Sequence, residues 1–115
     1  MDPLVKALLM DMRNEAEAAM SLTDSLSNDI ICDHPVLSRA VAHSLLLIGE
    51  AARQMPAEFR SAHPALAWNE ARALRNRIVH GYRTVVPEIL IETVRQDLPV
   101  LVAQIDRLLT EESST

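Results

Sequence analysis

Apolar residues return along this chain at three- and four-residue steps, the pattern of helices that bury one face. Leu4, Val5, Leu8, Leu9, Met12, Ala16 and Met20 form the first such row. Asp2 followed by Pro3 supplies its start, a side chain able to cap the first turn and then a proline whose missing N–H is not needed there. The spacing predicts a helix from residue 3 to about residue 26, followed by a polar connection over residues 27 to 34. Asp33 ahead of Pro35 repeats the start signal for a second helix reaching about Met55, with Leu37, Val41, Leu45, Ile48 and Ala52 on one face. Another stripe of that helix, Arg39, His43, Leu46, Glu50 and Arg53, follows the same steps, which predicts that a further partner covers it. Gly49 in its middle costs about 1 kcal/mol relative to alanine, so a neighbouring backbone is expected to approach closely there.

Residues 56 to 68, with Pro56 and Pro64, read as a loop. A short third helix is predicted over about Asn69 to His80, with Ala71, Leu74 and Ile78 facing the core and Gly81 placed to end it. The last helix begins at Pro87 and presents Ile91, Val94, Leu98, Leu101, Val102, Ile105 and Leu108, and Pro99 is expected to kink it. No run alternates as a strand does, and nothing repeats. The expected fold is all-α: a four-helix up-and-down bundle with a kinked last helix, forming one domain over residues 1–110 with a disordered tail over 111–115.

Composition narrows the class. A chain of 115 residues makes one domain and buries roughly 65% of its unfolded surface, so an oligomeric interface would be a natural supplement to its core. The longest aliphatic run, Leu45 to Ile48, is far too short to cross a bilayer, and Asp2, Asp11, Glu15 and Glu17 interrupt the N-terminal stretch where a signal peptide would be apolar. A lone Cys32 has no internal disulfide partner and joins none of His34, His43, His63 or His80 at a metal-ligand spacing. The chain therefore reads as reduced, cytoplasmic and free of metal, cofactor and membrane.

A net charge of -5 argues against a general nucleic-acid binder. The distribution of that charge changes the picture. Residues 53 to 83 hold all three aromatics, Phe59, Trp68 and Tyr82, and six arginines against two acids, a balance of +6 - 2 = +4. The remainder, with five basic and fourteen acidic residues, stands at -9.

The candidate chemistry sits in that island, in Arg75-Asn76-Arg77-Ile78-Val79-His80-Gly81-Tyr82. On a helix Asn76 and His80 share a face that Arg72 extends by a turn, while Arg75 and Tyr82 share the neighbouring face. An imidazole can take and return a proton near pH 7, a guanidinium can hold two phosphate oxygens at once, and an amide can fix an orientation, which together make a phosphate-handling set. Arg75 and His80, five apart, diverge by about 140° on a helix of ~3.6 residues per turn. Either the helix unwinds near Gly81, or the site lies in a cleft that uses both edges of the helix, such as one between two chains.

Arg, four residues, His, one residue, Tyr, with Asn directly after the Arg, resembles the signature of the HEPN superfamily, and specifically its HepT-like ribonuclease toxins. Arg39-Ala40-Val41, Ile48-Gly49-Glu50-Ala51-Ala52, Trp68 ahead of the basic helix and Asp97-Leu98-Pro99 are spaced as in that family, so the likeness covers roughly residues 4 to 109. The resemblance implies a metal-independent RNA endonuclease of a toxin-antitoxin system, working as a homodimer whose two motif copies line one cleft. It implies His80 as general base or acid in attack of a ribose 2'-hydroxyl on the adjacent phosphate, Arg75 as stabiliser of phosphoryl charge and Asn76 as support, with Arg72, Arg77, Arg83 and Glu50 in supporting or RNA-binding positions. It further implies an MNT-type nucleotidyltransferase antitoxin that transfers AMP to Tyr82. Gly81 is a departure, because many relatives carry an acidic residue between the His and the Tyr.

Alternatives stand beside these roles. A non-catalytic HEPN module that binds a nucleotide or a partner protein is the rival function. Tyr82 continues the apolar row of Ala71, Leu74 and Ile78 and could serve packing, Glu50 could either orient an arginine of the basic helix or form a surface pair, and Trp68 reads as a helix-entry anchor. His34, His43 and His63 read as structural.

Overall fold

The computed structural model describes residues 1–81 and 84–113. These form seven α-helices: α1 (Pro3–Thr23), α2 (Asn28–Asp33), α3 (Pro35–Gln54), α4 (Ala57–Ala62), α5 (Trp68–Gly81), α6 (Pro87–Glu92) and α7 (Leu98–Ser113). A π-helical turn, Thr93–Asp97, joins the last two. No strand occurs among the described residues, and the bundle is all-α as expected. Its four long members are α1, α3, α5 and the α6–α7 arm. α7 runs on to Ser113, so residues 111–113 of the expected tail are helical.

α3 is the central member, packing against α1 on one side and α5 on the other, while α1 also packs on α7. Two partners require a wide buried arc, and Val41, Ala42, Leu45, Ile48, Gly49 and Ala52 provide it, mixing small residues that let helices approach with branched ones that fill the gaps. Leu9, Met12, Ile31, Val41, Leu90, Ile91, Val94 and Ile105 are sealed from solvent in the same core, each large aliphatic side chain contributing about 1.5–3 kcal/mol through burial.

The helix starts follow local chemistry. Asp2 accepts from the Leu4 N–H at 2.7 Å ahead of Pro3. For α3 the cap is His34 rather than the expected Asp33: with Pro35 as the first helical residue the capping position falls on residue 34, whose Nδ1 accepts from the Leu37 N–H at 3.4 Å. Residues 27–34 and 56–68 contain more order than expected. Ser27 caps α2 by accepting from the Ile30 N–H, and α2 sinks Ile31 into the core. α4 forms one short element after Pro56. Helices of six residues carry too few apolar positions to show a period, so their existence depends on what they dock against.

The break near Pro99 is a π-turn rather than a bare kink. The Leu98 N–H reaches back five residues to the Thr93 carbonyl, and the widened turn accommodates a proline that can neither donate to Arg95 O nor pack closely on it. This turn also aims Arg95 at the end of α1. Its Nη1 donates to Thr23 O at 2.9 Å, Nη2 to Leu26 O at 2.6 Å and Nε to Asn28 Oδ1 at 3.2 Å. α1 stops at Thr23, short of the expected residue 26, and that guanidinium joins the Leu26 N–H on the terminal Thr23 carbonyl.

Candidate active site

α5 carries the basic motif and lies against α3 at unusually close range. A Cβ on Gly49 would collide with the Ala71 carbonyl oxygen and the Arg75 Cβ, so the expected close approach at Gly49 is present and α5 is what approaches. Trp68 anchors the start of α5: its ring is buried and its indole N–H donates to His63 O at 2.9 Å. Phe59 meets the Trp68 ring edge-on and stacks at a tilt on His63 with 4.4 Å between centroids.

Helix contact at Gly49 brings its neighbour Glu50 within reach of Arg75. Arg75 Nε donates to Glu50 Oε2 at 2.8 Å, and its Nη1 donates to Asn76 Oδ1 at 2.9 Å. Nη2 has no hydrogen-bond partner among the described residues. Glu50 therefore orients an arginine of the basic helix. The other carboxylate oxygen, Oε1, accepts from Arg53 Nε at 3.1 Å and Nη2 at 2.5 Å. The hydrogen bond from Arg53, and with it that from Arg75, holds the Glu50 carboxyl down at about 2 against the opposing effect of partial burial. The same pairing raises the Arg53 guanidinium. Two arginines thus flank one carboxylate that is ionised at neutral pH, leaving one positive charge in excess.

His80 lies in the last turn of α5 with its side chain exposed. α5 stays helical through Gly81, so the motif does not unwind before that point, and Arg75 and His80 leave opposite edges of the helix, about 7.5 Å apart along its axis. Asn76 stands between those edges, exposed, and Arg72 precedes it on the same row, half-buried. Beyond Gly81 the Thr84 hydroxyl donates to the Gly81 carbonyl at 2.7 Å. No described glycine adopts a positive φ, so Gly81 itself is not left-handed.

Other sequence-predicted residues fall elsewhere. Arg77 faces the opposite flank of α5, where it donates to Thr84 O at 3.4 Å and edges an apolar cleft of about 630 Å³ between α5 and the α6–α7 arm, walled by Leu45, Ile48, Leu74 and Leu98. The structure does not bring it to the Arg75 cluster, because two residues on a helix are about 200° apart. His43 is exposed on α3. Tyr82 and Arg83 lie outside the described residues. Arg53 is the cluster member that pattern reasoning did not assign; its three-residue spacing from Glu50 was the available signal. Among the described residues no group of three or more His, Cys, Asp or Glu side chains is placed to hold a metal ion.

Comparison with known proteins supplies an independent line. A family described as ribonuclease HepT-like matches residues 11–108. "Putative RNase TTE0752" of Caldanaerobacter subterraneus is 34% identical over 98 residues, covering 85% of this chain and 88% of that protein. "Probable ribonuclease HepT" of Thermococcus cleftensis is 31% identical over 104 residues, covering 90% and 94% respectively. "Putative RNase MJ1380" of Methanocaldococcus jannaschii is 28% identical over 102 residues, with 89% and 94% covered. No solved structure matches the chain.

Proposed function

Since the chain belongs to the HepT-like ribonuclease family, we propose that Arg75 and His80 are the catalytic pair of an RNA endonuclease in the cytoplasm. The observation that carries this reading is the state of Arg75: Glu50 and Asn76 hold two of its nitrogens and leave Nη2 available to a phosphate oxygen. A guanidinium fixed before substrate arrives stabilises developing phosphoryl charge without first reorganising. His80 takes the proton of the ribose 2'-hydroxyl, the oxygen attacks the adjacent phosphorus, and the 5'-oxygen of the next nucleotide leaves with a proton returned by an imidazolium. The products are a 2',3'-cyclic phosphate and a 5'-hydroxyl. The nucleophile belongs to the substrate, so the step is metal-independent. Asn76, whose oxygen accepts from Arg75, acts as a positioning residue.

A homodimer resolves the divergence of Arg75 and His80. The outer face of α3 presents Arg39 and His43 beside an exposed Val36, and the neighbouring face of α5 exposes Val79. A two-fold axis on these faces sets the Arg75 edge of one copy opposite the His80 edge of the other, in one basic cleft. The protein then acts as the toxin of a toxin-antitoxin pair, and an MNT-type nucleotidyltransferase neutralises it by moving AMP from ATP to the Tyr82 hydroxyl with release of pyrophosphate. An adenylate two residues after His80 would add bulk and negative charge where RNA must enter. Likeness to the toxin family supports this last step.

The test is cleavage of total RNA by purified protein in excess chelator, beside His80→Ala. Cleavage by the parent and none by the variant is expected. No cleavage by either, with both folded, would replace this reading with a non-catalytic binding module.

A further inference from the structure

We propose that Arg53, on α3, is a second phosphate-binding arginine of this site and takes the RNA phosphate next to the one held by Arg75; the inference rests on the ribonuclease reading above. Arg53 and Arg75 come from different helices, yet they sit on the two oxygens of a single carboxylate, Arg53 on Oε1 and Arg75 on Oε2 of Glu50. Their guanidiniums are therefore separated by one carboxylate and two hydrogen bonds, a span comparable with the step between successive phosphates of an extended single strand. The two are held differently. The Arg53 side chain is 50% exposed and Arg75 only 20%, and Arg53 meets Glu50 as a solvent-screened surface pair three residues apart on one helix. Arg75 is tied at two nitrogens to residues on two helices. A phosphate can thus draw Arg53 outward at little cost while Arg75 stays in place, and the charge that Glu50 loses in one partner it keeps in the other. Arg53 then contributes affinity and backbone register, and Arg75 contributes rate.

The experiment measures binding of a short single-stranded RNA across a range of salt, in a His80→Ala background where nothing turns over. Arg53→Ala is expected to weaken binding roughly tenfold at low salt and to flatten the log–log salt slope by about 0.7 per chain, one phosphate contact. Arg53→Lys should keep the slope. In the His80 parent, Arg53→Ala should raise KM, whereas Arg75→Ala should lower kcat. An unchanged affinity and slope overturns the proposal. So does a fall in kcat at constant KM, which would make Arg53 a support for Arg75 through Glu50, or a change in oligomeric state accompanying the loss of binding, which would make it an interface residue. The binding arm reads Arg53 whether or not the parent cleaves RNA, so its failure is separable from failure of the ribonuclease reading.

Discussion

Two arginines at different places in this bundle show how the same side chain becomes structural or functional. Arg95, in the π-turn, spends all three of its nitrogens on Thr23 O, Leu26 O and Asn28 Oδ1. Each acceptor is neutral, two of them are backbone, and every nitrogen of the guanidinium is already engaged within the fold. Arg75 is tied to one carboxylate and one amide and keeps Nη2 in reserve. The first ties the end of α1 and the turn after it to the last arm of the bundle. The second is a cation whose direction is set in advance while part of its hydrogen-bonding capacity stays unused, the state an anionic transition state exploits.

Replacing each in turn gives the sharpest test of that contrast. Arg75→Ala should cut kcat by roughly 10²–10³, as expected for loss of one preorganised donor to a developing oxyanion, with a Tm lowered only by the loss of its pair with Glu50. Arg95→Ala should do the reverse. Losing charged hydrogen bonds to part-buried carbonyls costs about 2–3 kcal/mol, a Tm drop on the order of 10 °C for a domain of this size, with activity per folded molecule retained. Equal effects of the two variants on rate and on melting would collapse the distinction.

Gly49→Ala comes next. The added methyl meets Ala71 O and the Arg75 Cβ, so α5 must shift; overpacking of this kind costs about 1–3 kcal/mol. Because the shift is at Arg75 itself, cleavage should fall more than melting predicts, which thermal denaturation and single-turnover rates measured together will show. Glu50→Gln is expected to have the smallest effect, roughly tenfold in kcat, since the amide still fills the gap but holds Arg75 without charge. It also carries a pH signature. The Glu50 carboxyl is depressed from 4.5 to about 2 in the fold, so its stabilising contribution is complete above about pH 4.5 and is lost as pH falls towards 2. Acid denaturation of the parent should show that component and Glu50→Gln should lack it; identical acid profiles would mean that the carboxylate does not tie α3 to α5.

Much of the architecture was legible because helix formation is local. The rows beginning at Leu4, at Leu37 and at Ile91 each report one face of one helix, and Asp2-Pro3 marks a start with a mechanism attached. The misses share a cause. α2 and α4 are short docked elements, the terminal carbonyl of α1 is met by a guanidinium about seventy residues away, and Pro99 acts on the hydrogen-bond pattern before it rather than on the helix direction alone. Within the site, Arg75, Asn76 and His80 were named from one contiguous motif. Arg77 was grouped with them by proximity in sequence, although a helix sends it to the other flank.

The sequence alone determined that the chain would make an all-α bundle, that Gly49 would admit a neighbouring backbone, and that the phosphate-handling side chains would lie on one short basic helix. Each of these follows from periodicity, from a missing Cβ or from residue type within a few positions. Tertiary structure alone decided that the neighbour at Gly49 is α5, that Glu50 holds Arg75 across 25 residues of chain, that Arg53 shares that carboxylate with it, and that Arg95 reaches back to the end of α1. Those are pairings between elements, and they depend on the angle and register at which packed helices meet, which no local pattern encodes.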